Sequence, residues 1–286
     1  MTVYLNGQFL PVAEAKISPL DRGFLFGDGA YEVIPVYSRH AFRIDEHLNR
    51  LQRTLDGIRL DNPHAVGEWR ALVEHVIAAN NFDDQSVYIQ VTRGADDKRD
   101  QAFPAGVQPT VFIFTAPLVT PTAVQRETGI AVVSALDNRW LRCDLKTVAL
   151  LANVLLRQQA IDAGCVETIM LRDGYLTEGA ASNIFAVKDG VLLAPPKDHR
   201  MLPGITYDVV LELAARHGMP YEVREIAESE VRAADELWMT SSTKEVLPIT
   251  LLDGKPVGTG RPGPAAAQMY AWYCAFRDEV MRKCDV

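Results

Sequence analysis

Lysine is the side chain to inspect first in this sequence, because only eight of its 29 Lys and Arg residues are lysines and a neutral lysine amine is a nucleophile. Such an amine needs a partly dry site, so it belongs in apolar, ordered sequence. Lys188, Lys197 and Lys255 adjoin turn signals, Lys283 lies near the C-terminus, Lys98 sits in the charge cluster DDKRD, and Lys16 flanks a loop. Lys146 and Lys244 remain. Lys146, in RWLRCDLKTVALLANVL, stands between a predicted strand and an apolar helix, a junction where side chains often face a cleft. In isolation, an ordinary solvated lysine at a helix start would read the same way.

Two places could hold a phosphate through backbone N–H groups: the helix start after LPGIT and the polar turn SST at 241–243. Hydroxyls of Thr206, Ser241, Ser242 and Thr243 could add donors, and an arginine such as Arg50 could add charge and a fork of N–H groups. Taken singly, Thr206 and Ser242 read as helix and turn caps. Glu178, in YLTEGAASN, ends a strand and precedes small residues that would let a flat ring approach the backbone. Lysine, phosphate cups and a carboxylate together are what pyridoxal 5'-phosphate requires: a partner for its aldehyde, one for its phosphate, and one that keeps its pyridine nitrogen protonated.

Other chemistries lack their signatures. FGDGAYE has Glu32 where a dinucleotide fingerprint needs its third glycine, and no Walker-type GK[ST] or GxSxG elbow occurs. The six histidines (40, 47, 64, 75, 199, 217) show no metal-binding spacing and read as structural or surface residues, so no metal is expected. Cys143, Cys165, Cys274 and Cys284 are widely spaced, without CxxC, and read as reduced thiols with no catalytic role.

The elements that must position these residues follow from periodicity. VYLNGQFLP reads as a hairpin around Asn6-Gly7, and the Asp173-Gly174, Asp189-Gly190 and Asp253-Gly254 pairs are tight turns between β-rich runs. YEVIPVY and HAFRI form a strand pair; IDEHLNRLQRTLDGI is a helix with Leu48, Leu51 and Leu55 on one face and Gly57 as its stop; a second helix covers roughly 67–80. SVYIQVTRG and PTVFIFTAP are strands, and the two prolines of APLVTPT mark a boundary. GIAVVSAL is then a strand. TVALLANVLLRQQAIDAG is a helix with Val148, Leu151, Leu155 and Leu156 on one face and Gly164 as its stop. ETIML, YLTE, NIFAV and VLLA are strands, ITYDVVLELAARHG is a helix, and another helix begins near 264. Strands and helices do not alternate strictly, so the class is α+β: a small N-terminal domain over 1–117, a linker over 118–123 and a large C-terminal domain over 124–286.

The 286 residues carry a net charge of −8 with 48% hydrophobic residues and a mean hydropathy near zero, an ordinary globular composition. An acidic balance without a block of like charge argues against nucleic acid or an anionic membrane as partner and favours small molecules. No apolar run reaches the roughly 18 residues of a membrane span and MTVYLNGQFL lacks a signal-peptide pattern, so a cytoplasmic location is expected.

In six blocks taken in order (SPLDRGFLFGDGAYEVIPVY, FRIDEHLNRL, NRWLRCDLKTVALLANVLLRQQAIDAG, LRDGYLTEGAASNIFAV, LPGIT and MTSSTKEVLPI) the sequence resembles the class IV, or fold type IV, pyridoxal-phosphate aminotransferases, most closely the D-amino acid aminotransferases. The resemblance implies that Lys146 forms the Schiff base with the cofactor and moves the proton between substrate Cα and cofactor C4′, while Glu178 pairs with the pyridinium nitrogen. It implies that Arg50, Ile205, Thr206 and Ser242 bind the phosphate with Ser241 nearby, that Leu202 packs against the ring, and that Tyr31 lines the substrate pocket. It further implies two α+β domains with the cofactor between them, in a homodimer whose partner chain helps complete the pocket.

The sequence departs from the family in RGADDKRDQAFP, where many D-amino acid aminotransferases place an Arg and a His two residues apart to hold the substrate carboxylate. Lys98 or Arg99 can supply the cation here, but Asp100 stands where the His is expected, and the loop is one residue longer. At 4 Å and an effective dielectric of 20, that aspartate would repel a second carboxylate by ~4 kcal/mol unless the loop turns it outward. Ala180 and Ala181 replace serines common after the family glutamate, and Tyr207 stands where some relatives carry Arg. The expected activity is ping-pong transamination between a D-amino acid, such as D-alanine or D-glutamate, and a 2-oxo acid. Alternatives within the family are an R-selective amine transaminase, a branched-chain L-aminotransferase and an aminodeoxychorismate lyase; outside enzymes, a non-catalytic cofactor-binding dimer.

Overall fold

The computed structural model describes residues 1–283, so Cys284 lies outside the described residues. The chain divides into two compact units. Unit 1 comprises Met1–Leu118, Leu145–Leu150 and the stretch that begins at Glu279; unit 2 comprises Val119–Asp144 and Leu151–Asp278. A single linear cut at 118–123 therefore misplaces two segments: 145–150, which carries Lys146, and the C-terminal stretch both belong with the first unit.

Unit 1 contains β1 (Thr2–Leu5), β2 (Gln8–Pro11), α1 (Arg22–Phe26), β3 (Gly29–Tyr37), β4 (His40–Ala41), α2 (Ile44–Gly57), α3 (Val66–Ala79), β5 (Gln85–Thr92) and β6 (Thr110–Pro117). Among the described residues its sheet is antiparallel, in the order β2-β1-β6-β5-β3-β4. Strand alternation sends Ile34 and Val36, Val87, Ile89 and Val91, and Val111 and Ile113 to one face. There they pack with Leu48, Leu51 and Leu55 of α2 and Trp69, Val73, Val76 and Ile77 of α3. The leucine stripe is the one its spacing predicts. The stop of α2 differs: Gly57 is its last helical residue, and the left-handed turn is made by Arg59 at φ 56°.

Unit 2 contains α4 (Ala123–Thr128), β7 (Ile130–Leu136), α5 (Leu151–Asp162), β8 (Glu167–Arg172), β9 (Tyr175–Gly179), β10 (Asn183–Lys188), β11 (Val191–Ala194), α6 (Ile205–Arg216), β12 (Tyr221–Val223), α7 (Glu228–Arg232), β13 (Glu236–Ser241), β14 (Glu245–Leu252), β15 (Lys255–Pro256) and α8 (Pro264–Phe276). Its mixed sheet runs β12-β11-β10-β13-β14-β7-β8-β9, with β15 added to β14. Asn6-Gly7 and the three Asp-Gly pairs all take positive φ at both positions, the two-residue geometry that suits the twist of a hairpin. The α+β class holds.

The helix expected from Thr147 begins only at Leu151. Thr147 and Val148 are β-branched and take an extended path instead, with Val148 N–H donating to Gly29 O at 3.0 Å and Tyr31 N–H to Lys146 O at 2.9 Å. The four apolar residues do not share one environment. Of Val148, Leu151, Leu155 and Leu156 only Leu156 is buried, whereas Leu151 is 72% and Leu155 63% exposed. Leu156 and Ala160 turn inward because their positions on α5 face β8, where Leu156 meets Met170.

Candidate functional site

Lys146 lies in unit 1 and is fixed through its backbone. Its N–H donates to Thr54 Oγ1 at 3.2 Å, its carbonyl accepts from Tyr31, and Thr147 bridges Ala30. Extended pairing against the start of β3 puts the lysine beside the aromatic face of the sheet: its Nζ stands 3.9 Å from the Tyr31 ring centroid, and Tyr31 stacks on Tyr88 at 5.6 Å. A cation over a ring face is electrostatically favoured. Sequence position alone could not show this pairing, because strand and helix starts look alike over four residues.

Arg50 is buried on α2 and held by Glu32 of β3 in a fork, Nε to Oε1 at 2.7 Å and Nη2 to Oε2 at 2.8 Å. His47 Nδ1 meets Glu32 Oε2 at 2.8 Å. Glu32 alternates with Tyr31 and therefore points to the helix side of the sheet, where an unpaired carboxylate would be costly. Arg50 keeps Glu32 ionised far below the usual carboxylate range despite complete burial, and the same burial holds the His47 imidazole below its ordinary value. Sequence reasoning misses Glu32 and His47. An acid in phase with Ile34 and Val36, with Arg and His three apart on the next helix, is the signal that could have found them.

The loop expected to hold the substrate carboxylate is built from below. Arg22, 3% exposed, donates to the carbonyls of Asp100 (2.5 Å), Gln101 (3.1 Å) and Ala102 (3.2 Å) and through Nε to Asp28 (2.8 Å). Arg93 also grips Asp28 and lies 3.8 Å from the Phe103 ring centroid. Lys98 is exposed and pairs with Asp100 at 3.5 Å, while the Arg99 guanidinium lies 5.2 Å from the Phe26 ring centroid. Asp100 is thus engaged within its own loop by Lys98.

In unit 2, Glu178 is buried at the end of β9. Its Oε1 accepts from Arg139 Nη1 at 2.5 Å and from Leu202 N–H at 3.2 Å, whereas Oε2 has a 3.4 Å contact with Asn183 Nδ2. Burial pushes its carboxyl up to about 7 against the pull of Arg139, so a cationic partner at Oε2 would restore full ionisation. Leu202 reaches this carboxylate by its backbone. Ile205 and Thr206 open the 12-residue helix α6, whose N-cap, Gly204, supplies no side-chain cap. A Cβ at Gly204 would lie 2.0 Å from Asn183 Oδ1, so the helix start sits tightly on the residue that also touches Glu178. Ser241 ends β13, and its Oγ accepts from Lys244 N–H at 3.1 Å, closing the turn that contains Ser242. Tyr207, by contrast, is core: fully buried, with its hydroxyl donating to Pro195 O at 2.8 Å.

Lys146, Tyr31 and Arg50 with Glu32 and His47 thus belong to one unit, and Glu178, Leu202, Ile205, Thr206, Ser241 and Ser242 to the other. The first unit offers an amine beside an aromatic face; the second offers a buried carboxylate that lacks a cation on one oxygen and a long helix start without a side-chain cap. Each is a kind of group that an anionic, ring-bearing cofactor with a basic nitrogen and an aldehyde calls for. Among the described residues no group of three His, Cys, Asp or Glu could hold a metal.

Residues 29–252 match the family model described as amino-transferase class IV. The chain is 38% identical to D-alanine aminotransferase of Bacillus licheniformis over 92% of this chain and 93% of that one. It is 35% identical to D-alanine aminotransferase of Listeria monocytogenes (strain 10403S) over 99% and 98%. Among solved structures, the branched-chain aminotransferase of the thermophilic archaeon Thermoproteus uzoniensis with norvaline superposes with a TM-score of 0.86 at 28% identity, covering 100% of this chain and 96% of that one. The Escherichia coli branched-chain amino acid aminotransferase gives 0.87 at 28% identity, covering 94% and 92%.

Proposed function

Because the chain belongs to the class IV aminotransferases, enzymes that depend on pyridoxal 5'-phosphate, we propose that it transfers the amine of a D-amino acid such as D-alanine or D-glutamate to a 2-oxo acid, with Lys146 as the catalytic base. The observation that carries the reading is Lys146 itself, held by its backbone against β3 with its amine over Tyr31. The D-alanine aminotransferases at 35–38% identity over nearly the whole chain support the D-configuration. The structural likeness to branched-chain enzymes fits the shared fold and supports the L-alternative no better.

When bound, the cofactor supplies an electron sink for the charge that develops at the substrate Cα. The chain's own residues do the rest. Lys146 would hold the aldehyde carbon and move the proton at the substrate Cα. Arg50, the Ile205 N–H, Thr206 and Ser242 would bind the phosphate, with Ser241 shaping the turn. Glu178 would hold a proton at the pyridine nitrogen, Leu202 would border the ring, and Tyr31 would border the substrate. Since Lys98 is engaged by Asp100, Arg99 is the cation assigned to the substrate carboxylate. Single-turnover spectra of the holoenzyme should show conversion with D-alanine and D-glutamate and none with L-alanine, L-leucine or R-1-phenylethylamine; Arg99→Ala should raise the KM for the acid strongly and leave cofactor affinity alone. Conversion by the L-amino acids instead would move the chain to the branched-chain reading.

The assembly is a homodimer in this reading. Leu151, Val154 and Leu155 form an apolar stripe on α5, exposed by 72, 58 and 63%, a pattern that marks a surface covered by another chain. We expect Leu155→Asp to sediment as a monomer with most activity lost while retaining its helical circular dichroism; a dimer of undiminished activity would place the interface elsewhere. The three described cysteines are free, which supports a reducing, cytoplasmic setting. Among the described residues no helix is long and apolar enough to cross a membrane.

A further inference from the structure

Arg139 is a side chain that the reading above leaves without a task. It is 7% exposed and spends its N–H groups in two directions. Nη1 donates to Glu178 Oε1 at 2.5 Å, while Nε and Nη2 donate to Asp137 Oδ1 and Oδ2, each at 2.9 Å. Nη2 also reaches the Arg200 carbonyl at 3.1 Å. Asp137 is itself buried and is held from behind by Arg172 at 2.9 Å and by Thr177 Oγ1 at 3.0 Å. Burial pushes the nearby Cys143 thiol up, and the charges acting on Glu178 are those of Arg139 and Asp137.

This arrangement solves a specific electrostatic problem. A buried carboxylate tends to take up a proton, and a protonated Glu178 could not hold a proton on a basic ring nitrogen. A guanidinium in contact opposes that uptake. A guanidinium without a counter-charge, however, would neutralise the carboxylate outright and leave little of its field for a second cation. Asp137 supplies that counter-charge, so Glu178 remains anionic toward whatever meets Oε2. Oε1 is already taken by Arg139 and the Leu202 N–H, which points the other oxygen to the remaining task. Only a planar fork with several donors can hold both carboxylates at once.

We propose that Arg139, locked by Asp137, is a positioning residue that fixes the charge and orientation of Glu178 and thereby decides whether the shared proton rests on the cofactor's ring nitrogen or on the carboxylate. This inference rests on the assignment of Glu178 to that nitrogen. The test reads the proton directly: holoenzyme is prepared with cofactor labelled with ¹⁵N in the ring, and the ¹⁵N chemical shift is compared in wild type, Glu178→Gln, Arg139→Gln and Arg139→Lys. The wild-type signal is expected in the pyridinium range and that of Glu178→Gln in the free pyridine range. Arg139→Gln should move most of the way toward free pyridine, and Arg139→Lys, which keeps the charge but not the fork, should move part of the way. Signals of both Arg139 variants at the wild-type position, with Glu178→Gln displaced, overturn the role of Arg139 and leave Glu178 in place. A pyridinium signal in Glu178→Gln overturns the Glu178 assignment, and the proposal with it. Should Arg139→Gln fail to fold, Arg139→Lys decides by the same criterion.

Discussion

Replacing Lys146 with alanine is expected to lower transamination of D-alanine by at least about 1,000-fold, because proton transfer by a positioned side chain alone contributes about 10²–10⁴ and in the proposed reading this residue also holds the cofactor covalently. The fold should be almost untouched. The contacts that fix the residue are made by its backbone, to Thr54 Oγ1 and from Tyr31 N–H, and alanine keeps both. What is lost in stability is the contact of the ammonium with the Tyr31 ring, about 0.5–1 kcal/mol at a half-exposed site. Thermal unfolding should therefore barely shift while the visible absorbance of lysine-bound cofactor disappears. Added methylamine should restore part of the turnover by replacing the missing base. A variant that kept its turnover would remove Lys146 from the mechanism.

Replacing Glu32 with alanine is expected to cost about 3–5 kcal/mol of stability, the range for breaking a buried pair by removing one partner. Arg50 would remain buried with its fork facing the cavity left by the carboxylate, and His47 would lose its acceptor. The same cluster predicts how the wild type responds to acid. The folded pKa of Glu32 is depressed, so its contribution is present in full above its ordinary value of 4.5 and is lost as pH falls below it. The folded pKa of His47 is also depressed; its neutral form is favoured by the fold, and stability declines as pH drops below 6.5. Urea midpoints measured across this range should fall gently from pH 6.5 and more steeply below 4.5, and Glu32→Ala should flatten the steeper limb. An alanine variant with the wild-type midpoint would mean that Arg50 finds another partner. Because Arg50 is the arginine assigned to the phosphate, cofactor affinity should fall with the stability loss, and Glu32→Gln should fall between the two.

Local chemistry makes much of this protein legible in its sequence. The Asn-Gly and Asp-Gly pairs specify turns because both residues tolerate positive φ, and all four adopt it. Leu48, Leu51 and Leu55 specify the buried face of α2 because their spacing is that of one helix face. Lys146 is separable from six other lysines by its apolar surroundings, and Glu178 by its place at a strand end. These are statements about a residue and its near neighbours, where spacing and side-chain type suffice.

Tertiary structure decided the rest, because the remaining features depend on residues far apart in the chain. The apolar stripe of α5 is exposed, since spacing shows that a helix has an apolar face but cannot say whether the same chain covers it. Residues 146–148 are extended rather than helical because Gly29 and Tyr31, more than a hundred positions earlier, offer them strand hydrogen bonds. That same pairing assigns Lys146 and the rest of 145–150 to the first unit, although the segments that flank this stretch belong to the second. The partners of the charged residues are likewise invisible to spacing: Glu32 chooses Arg50 and His47, and Arg139 joins Asp137 to Glu178 across 39 positions. A buried charge must find its counter-charge wherever the fold brings one, so the sequence determined which residues could do chemistry, and the fold determined which of them are charged and where they point.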